Sequence, residues 1–459
     1  MALDIIYTLA KNIINTNYEN LPPDVVEVTK KQIMDSFGVG IAGSSAPAIP
    51  ELVEILKEWG GKKESSVWVY GGKLPCIYVA QINATMIHAR DFDDTHDVAI
   101  LHPSAPVVPT AFAISERIGN FDGRKLITAV ALAVDMTARL CLANTIPMVE
   151  LGWHYTTLHG SLGATAVAGK LLELDEESLV NAFGIAYHQT GGNLQCVDDG
   201  GLTKRCGPGF AARNGIMAAI MSQKGITGAK NVLQGPRGLY NQYHKGNYKP
   251  EVLTKDLGKK FEGINVSFKP YPCCRYTHPG IDATRALLSE HEIKVDDIDN
   301  ITVHVGKSTY GIVCQPLDAK QNPRNPVDAQ FSIPWAVACT IDHGKVTLAD
   351  ITPEAIENKA TLKLSNKVRP KLDETFSQTA IEPSLVEIKS KDGKIYSKRV
   401  DIPYGSPTNP MSMDDVATKF RDCTSYAAKP LSQKNVERLI RLLTHLEASE
   451  LQEIVRLMT

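Results

Sequence analysis

Apolar residues recur at helical intervals along the first two-thirds of the chain. Val25, Val28, Ile33, Phe37 and Ile41 follow Pro22-Pro23-Asp24, a start signal in which proline presets the backbone for the first turn. From Leu126 to Ala143, Ala, Val, Leu and Met stand almost all round, which predicts a helix buried on most faces. Residues 160–174 and 210–223 are rich in Gly and Ala. Side chains this small let helix backbones approach closely, so a tightly packed bundle is expected. Asp175 ahead of Glu176-Glu177-Ser178 opens a further helix, with carboxylates placed against the positive end of its dipole.

The pattern changes after about residue 265. Residues 301–305 (Ile-Thr-Val-His-Val) and 360–364 (Ala-Thr-Leu-Lys-Leu) alternate with the period of a strand. Residues 385–388 and 395–396 flank Lys391-Asp392-Gly393-Lys394, where Asp-Gly signals a hairpin turn. Between these, 331–341 reads as a buried helix, and 403–410, with three prolines, as a connector. Residues 436–457 return to an amphipathic helix, with Leu439, Leu442, Leu443, Leu446 and Leu451 on one stripe. The expected fold is mainly α: a large all-helical domain of residues 1–265 and 405–459, with a smaller α+β lid domain, 266–404, inserted into it.

Composition narrows the function. A chain of 459 residues with 43% apolar and 22% charged residues has ample core and is too apolar for disorder. A formal net charge of −2 favours neither nucleic acid nor an anionic membrane as partner, so an anionic substrate must be drawn by a local cluster of cations. The start, Met1-Ala2-Leu3-Asp4, has no signal-peptide pattern, and no apolar run reaches the ~18 residues of a membrane span. The nine cysteines lack C-x-x-C spacing, so neither a zinc site nor a disulfide framework is expected. These features read as a cytoplasmic protein with reduced thiols.

Four segments concentrate polar chemistry. Asp91-Phe92-Asp93-Asp94-Thr95-His96-Asp97, followed by His102-Pro103-Ser104, packs mutually repelling acids between apolar flanks, as in a loop pinned to a core. No metal-binding His pair accompanies it, and no metal is expected there. Gly152-Trp153-His154-Tyr155-Thr156-Thr157 leads into the Gly-rich helix at Gly160, where His154 can face a cleft or sit satisfied in the core. The run Gly200 to Gly209 carries Thr203-Lys204-Arg205 among glycines, and its default reading is a surface loop. Phe268-Lys269-Pro270-Tyr271-Pro272-Cys273-Cys274-Arg275 joins stiff backbone to cations suited to carboxylates.

Taken in order, these segments resemble the MmgE/PrpD family, and so do Ala329-Gln330-Phe331-Ser332 and Asn409-Pro410-Met411-Ser412. The resemblance spans nearly the whole chain. It implies a helical domain with an α/β lid, a homodimer, and no metal or organic cofactor. It also implies activity on a small polycarboxylate by dehydration, decarboxylation or epimerisation. By motif match the family's site positions fall on Asp91, Thr95, His102, His154, Lys204 and Lys269, and adjacency adds Tyr271 and Arg275 as substrate-binding candidates. One departure stands out: Trp153-His154-Tyr155 replaces the Phe-His-Pro often found in dehydratase-like members.

The chemistry then follows from residue type. Removing a proton, or CO₂, beside a carboxylate leaves a carbanion or enolate that Lys204 and Lys269 can stabilise. Imidazole, with an ordinary pKa of ~6.5, suits proton transfer near neutrality. His154 and Lys204 are the expected acid–base pair, Asp91 the residue that orients His102, and Thr95 a donor to substrate. The leading expectation is a hydro-lyase, with an epimerase or a decarboxylase as alternatives.

Overall fold

Alanine and glycine decide how closely the helices stack. The computed structural model describes residues 3–120, 122–146, 148–376 and 380–459, and is mainly α, 58% helix against 9% strand. The chain divides into two compact units. The first comprises Met1–Ala89, Asp93–Val266 and Ser412–Thr459, the second Arg90–Phe92 and Ser267–Met411.

The first unit is built on α1 (Pro23–Gly43), α2 (Cys76–His88), α3 (Ser104–Ile118), α4 (Gly123–Leu142), α5 (Tyr155–Leu158), α6 (Gly160–Leu171), α7 (Glu176–Gln189) and α8 (Thr203–Gln223). α8 runs against both α2 and α6. A Cβ at Gly209 would come 2.3 Å from Thr85 Oγ1 on α2, and one at Gly215 2.5 Å from Ala164 Cβ on α6, so these glycines set the interhelical distance. Phe37 stacks on Trp68 at 4.3 Å between ring centroids, with Phe112 edge-on to Phe37 at 4.7 Å. Asp175 caps α7, accepting from the Ser178 amide at 2.7 Å, as its sequence signal predicts.

Two sequence expectations fail in this unit. The Gly-rich run after Gly200 is not a loop throughout, because α8 starts at Thr203 and takes Gly207, Pro208 and Gly209 into its first turns. Those glycines serve close approach, not turning. The helix expected over 436–457 is two, Gln433–Thr444 and Leu451–Leu457, joined by a 3₁₀ turn at Leu446–Ala448. The break docks on α4: a Cβ at Gly123 would lie 1.9 Å from the Leu446 carbonyl oxygen.

The second unit holds a four-stranded sheet of order β2-β1-β3-β4, with β1 Ile298–Val305, β2 Val368–Leu372, β3 Ser384–Ser390 and β4 Ile395–Val400. β1 pairs parallel to β2 (Ile301 with Val368) and antiparallel to β3 (Val303 with Val386). β3 and β4 form the hairpin predicted around Asp392-Gly393, with Gly393 at φ +89°. Ile301, Val303, Val386 and Ile388 pack against Ile333, Val337 and Ile341 of the helix Ile333–His343. The strand expected at 360–364 is a helix, Lys359–Ser365. Asn358 caps it, accepting from the amides of Ala360 (2.9 Å) and Thr361 (3.3 Å), and Thr361, Leu364 and Ser365 form its buried face. Among the described residues no helix is long and apolar enough to cross a membrane.

Candidate active site

α2 ends at His88, and after three residues belonging to the second unit the chain re-enters the first at Asp93. The Nδ1 of His88 lies 2.8 Å from Asp93 Oδ2, with both side chains almost wholly buried. His102 Nδ1 lies 2.8 Å from the carbonyl oxygen of Asp94 and 3.3 Å from the same Asp93 oxygen. A carbonyl only accepts, so His102 carries a proton on Nδ1 and leaves Nε2 as its basic nitrogen. Its backbone amide donates to Thr156 Oγ1 at 3.1 Å, tying the loop to α5.

The His88 ring is central to the group. It meets the His102 ring edge to face at 4.6 Å and the His154 ring at 5.7 Å. His154, buried, stands at the N-cap of α5 with Nδ1 2.8 Å from Thr157 Oγ1. α8 passes directly beside it. A Cβ at Gly207 would lie 2.3 Å from Thr157 Oγ1 and 2.8 Å from His154 Nδ1, so only glycine fits there. Lys204, half-buried, occupies the first turn of the same helix.

Three acids lie under this group. Asp94 accepts from Ser104 Oγ at 2.5 Å, and burial pushes its carboxyl well above the usual range, with Asp35 and Asp93 adding to the effect. Asp35 pairs with Lys419 at 2.7 Å, deep in the unit. His88, Asp93 and His102 offer ligand atoms within 4.8 Å of one another, a spacing open to a metal ion. With its Nδ1 proton on a carbonyl, His102 keeps Nε2 as its one lone pair, the nitrogen it would offer either to a proton or to an ion.

The remaining sequence candidates take other places. Thr95 Oγ1 donates to the Leu101 carbonyl at 3.3 Å, closing the 95–101 loop. In the second unit Asp91 sits in the left-handed region (φ +50°), and the buried Lys269 donates to its carbonyl at 2.8 Å, 3.3 Å from its carboxylate. Arg275 donates to the Tyr404 carbonyl (2.9 Å), Ser406 Oγ (2.6 Å) and His278 Nδ1 (3.0 Å). Burial, with Arg275 and Lys269 nearby, pushes His278 well below its ordinary pKa, so it accepts as a neutral ring. Tyr271 donates to Asp282 at 2.6 Å and accepts from Arg285 at 2.8 Å. The structure thus joins His102 to His154 through His88, and Asp91 to Lys269. Tyr271 and Arg275 are bound into the scaffold of their own unit.

The model of the MmgE/PrpD N-terminal domain matches residues 7–251, and that of the MmgE/PrpD C-terminal domain residues 271–445. The chain belongs to the MmgE/PrpD family, and it is an enzyme. It is similar to cis-aconitate decarboxylase of Aspergillus terreus (27% identical, over 94% of this chain and 91% of the relative). The human cis-aconitate decarboxylase is 28% identical over 94% of this chain and 89% of its own. The 2-methylcitrate dehydratase of Escherichia coli K12 is 23% identical over 80% of this chain and 77% of its own.

In this MmgE/PrpD enzyme the sequence reading missed His88, and it named Asp93 and Asp94 only as members of an acidic run. The carboxylate beside His102 is that of Asp93, two residues after the acid expected to orient it. His88 ends an apolar helix with no polar neighbour to mark it, and its partner lies five residues on, beyond the helix end.

Proposed function

We propose that this enzyme is a lyase acting on a tricarboxylic acid, and that it releases CO₂ from an unsaturated acid of the cis-aconitate type. The observation that carries the reading is the fixed Nδ1–H of His102, which leaves Nε2 as the position that gains and gives up a proton. Asp93 at 3.3 Å stabilises the imidazolium so formed. Loss of CO₂ from a β,γ-unsaturated acid moves the pair of the breaking C–C bond into a new double bond. The old double-bond pair then takes a proton at its far carbon. One protonated group is enough, and His102 or His154 supplies it. Lys204 is proposed as the cation that binds a carboxylate and stabilises the developing charge. Coverage supports this choice over dehydration, since the similar decarboxylases align over 94% of the chain.

Dehydration of a 2-methylcitrate-like acid is the second reading, supported by the dehydratase likeness. It needs one group to take a C–H proton and another to protonate the departing hydroxide, for which His154 and Lys204 are the proposed pair.

Purified protein incubated with cis-aconitate, 2-methylcitrate, citrate and iminodisuccinate, followed by alkene absorbance and product mass, tests both readings. Loss of CO₂ from cis-aconitate is the expected result. Water loss from a hydroxy acid moves the assignment to the second reading, and inversion of a dicarboxylate without mass change overturns both.

A further inference from the structure

The ring of His88 stands against those of both proton-transfer candidates, His102 and His154. Its position is set by the last turn of α2, and its side chain is 0% exposed. Nδ1 is occupied by Asp93, and the two faces of the network it joins are the rings of His102 and His154. Asp93 Oδ2 therefore faces two Nδ1–H groups, one from His88 at 2.8 Å and one from His102 at 3.3 Å. The distances say how the proton of His102 is shared. The shorter bond to Asp93 is made by His88, and His102 keeps its own shorter bond, 2.8 Å, to the Asp94 carbonyl.

We propose that His88 is a positioning residue for the acid–base chemistry: by holding Asp93 it keeps that carboxylate at a distance from His102 and fixes the direction of His102 Nε2. This rests on the reading of His102 as a proton-transfer group. Remove the His88 donor and a buried carboxylate loses a charge-assisted bond. Asp93 then recruits the His102 Nδ1–H for itself, the ring leaves the Asp94 carbonyl, and Nε2 swings off line. His88 also fills the space between two rings, so shape and hydrogen bonding must be separated in any test.

Three variants separate them. His88→Asn keeps an N–H close to the place of Nδ1, His88→Gln puts its amide toward the place of Nε2, and His88→Leu fills space without a donor. On the substrate that wild-type enzyme turns over, Leu and Gln should lower kcat ~10- to 100-fold with KM within ~3-fold, the usual scale for an orienting partner. Asn should restore kcat to within ~5-fold of wild type. Selective ¹⁵N-histidine labelling gives a readout independent of activity. The Nδ1–H resonance of His102 should be unchanged in His88→Asn and displaced in His88→Leu and His88→Gln. If Leu and Gln match wild type in kcat, or Asn is no better than they are, the proposal is overturned. An unmoved His102 resonance in all three overturns it too, even where no substrate has been found. Wild type that turns over none of the acids, with the His102 resonance displaced as described, would instead overturn the functional reading and leave the positioning role supported.

Discussion

His102 Nδ1 lies 2.8 Å from the carbonyl oxygen of Asp94, an acceptor with no proton of its own, and that contact fixes which nitrogen of the ring does chemistry. Burial raises the carboxyl of the same Asp94 well above its usual range, and a second carboxyl, that of Asp93, stands 3.3 Å from the ring nitrogen. Backbone and side chain of one residue thus play separate parts.

The first consequence concerns His154 and Lys204. His154→Ala and Lys204→Ala should each lower kcat by ~10²-fold or more on a confirmed substrate, the common scale for a lost general acid or base. The thermal melt of Lys204→Ala should move little, because Lys204 is half-buried at a helix start. Near-native kcat in both would transfer the role to His102.

Gly207 gives a steric test of the same site. Gly207→Ala places a methyl 2.3 Å from Thr157 Oγ1 and 2.8 Å from His154 Nδ1. Either α8 or the His154 ring must give way. Overpacking of this kind costs about 1–3 kcal/mol, and urea denaturation should show it together with a fall in kcat. A variant as stable and active as wild type would contradict this packing.

Sequence pattern revealed the helical layout because apolar spacing and cap residues act locally: Pro23 and Asp175 open helices where expected, and Asp392-Gly393 makes its hairpin. It failed where tertiary contact decides. Ala360 to Leu364 alternates like a strand, but the Asn358 cap and the burial of Thr361, Leu364 and Ser365 make a helix. Glycines 207 and 209 read as loop residues because nothing in the sequence shows the α2 and α5 atoms they must approach. In the site, His102 and His154 stood out by motif resemblance. His88 did not, because its chemistry exists only once the chain returns Asp93 to the end of α2.

Acid should weaken the first unit. His159 and His244 stack at 5.2 Å with planes 11° apart, fully buried, and their ring nitrogens have no hydrogen-bond partner among the described residues. Burial lowers His244 from 6.5 to about 4 and His159 well below its ordinary value. The unfolded chain therefore takes up protons that the native state refuses. Stability from this pair is complete above the unfolded value and falls as pH drops from about 6.5 toward 4, by up to about 3 kcal/mol for His244. Asp94 and Asp135, whose carboxyls burial raises, act in the opposite sense, so the comparison must be with a variant. Urea denaturation at pH 7.5 and pH 5 should show a smaller acid loss in His244→Phe than in wild type. Equal losses would contradict the assignment.

Metal removal should leave activity intact. The His88, Asp93 and His102 donors lie close enough for an ion, but the proposed proton transfer uses Nε2 of His102, the nitrogen that an ion would need. Exhaustive chelation should therefore change kcat little, while a large loss reversed by added metal would mean that Nε2 of His102 holds an ion instead of moving a proton.

The most direct test of the central claim, that these histidines move a proton onto a carbon of a tricarboxylate, is turnover of cis-aconitate in heavy water with wild type, His102→Ala and His154→Ala side by side. The account predicts that wild type releases CO₂ and leaves a single solvent deuterium at the carbon that gained the proton, and that at least one variant loses turnover by ~10²-fold. Product without solvent deuterium, or full turnover in both variants, would contradict it.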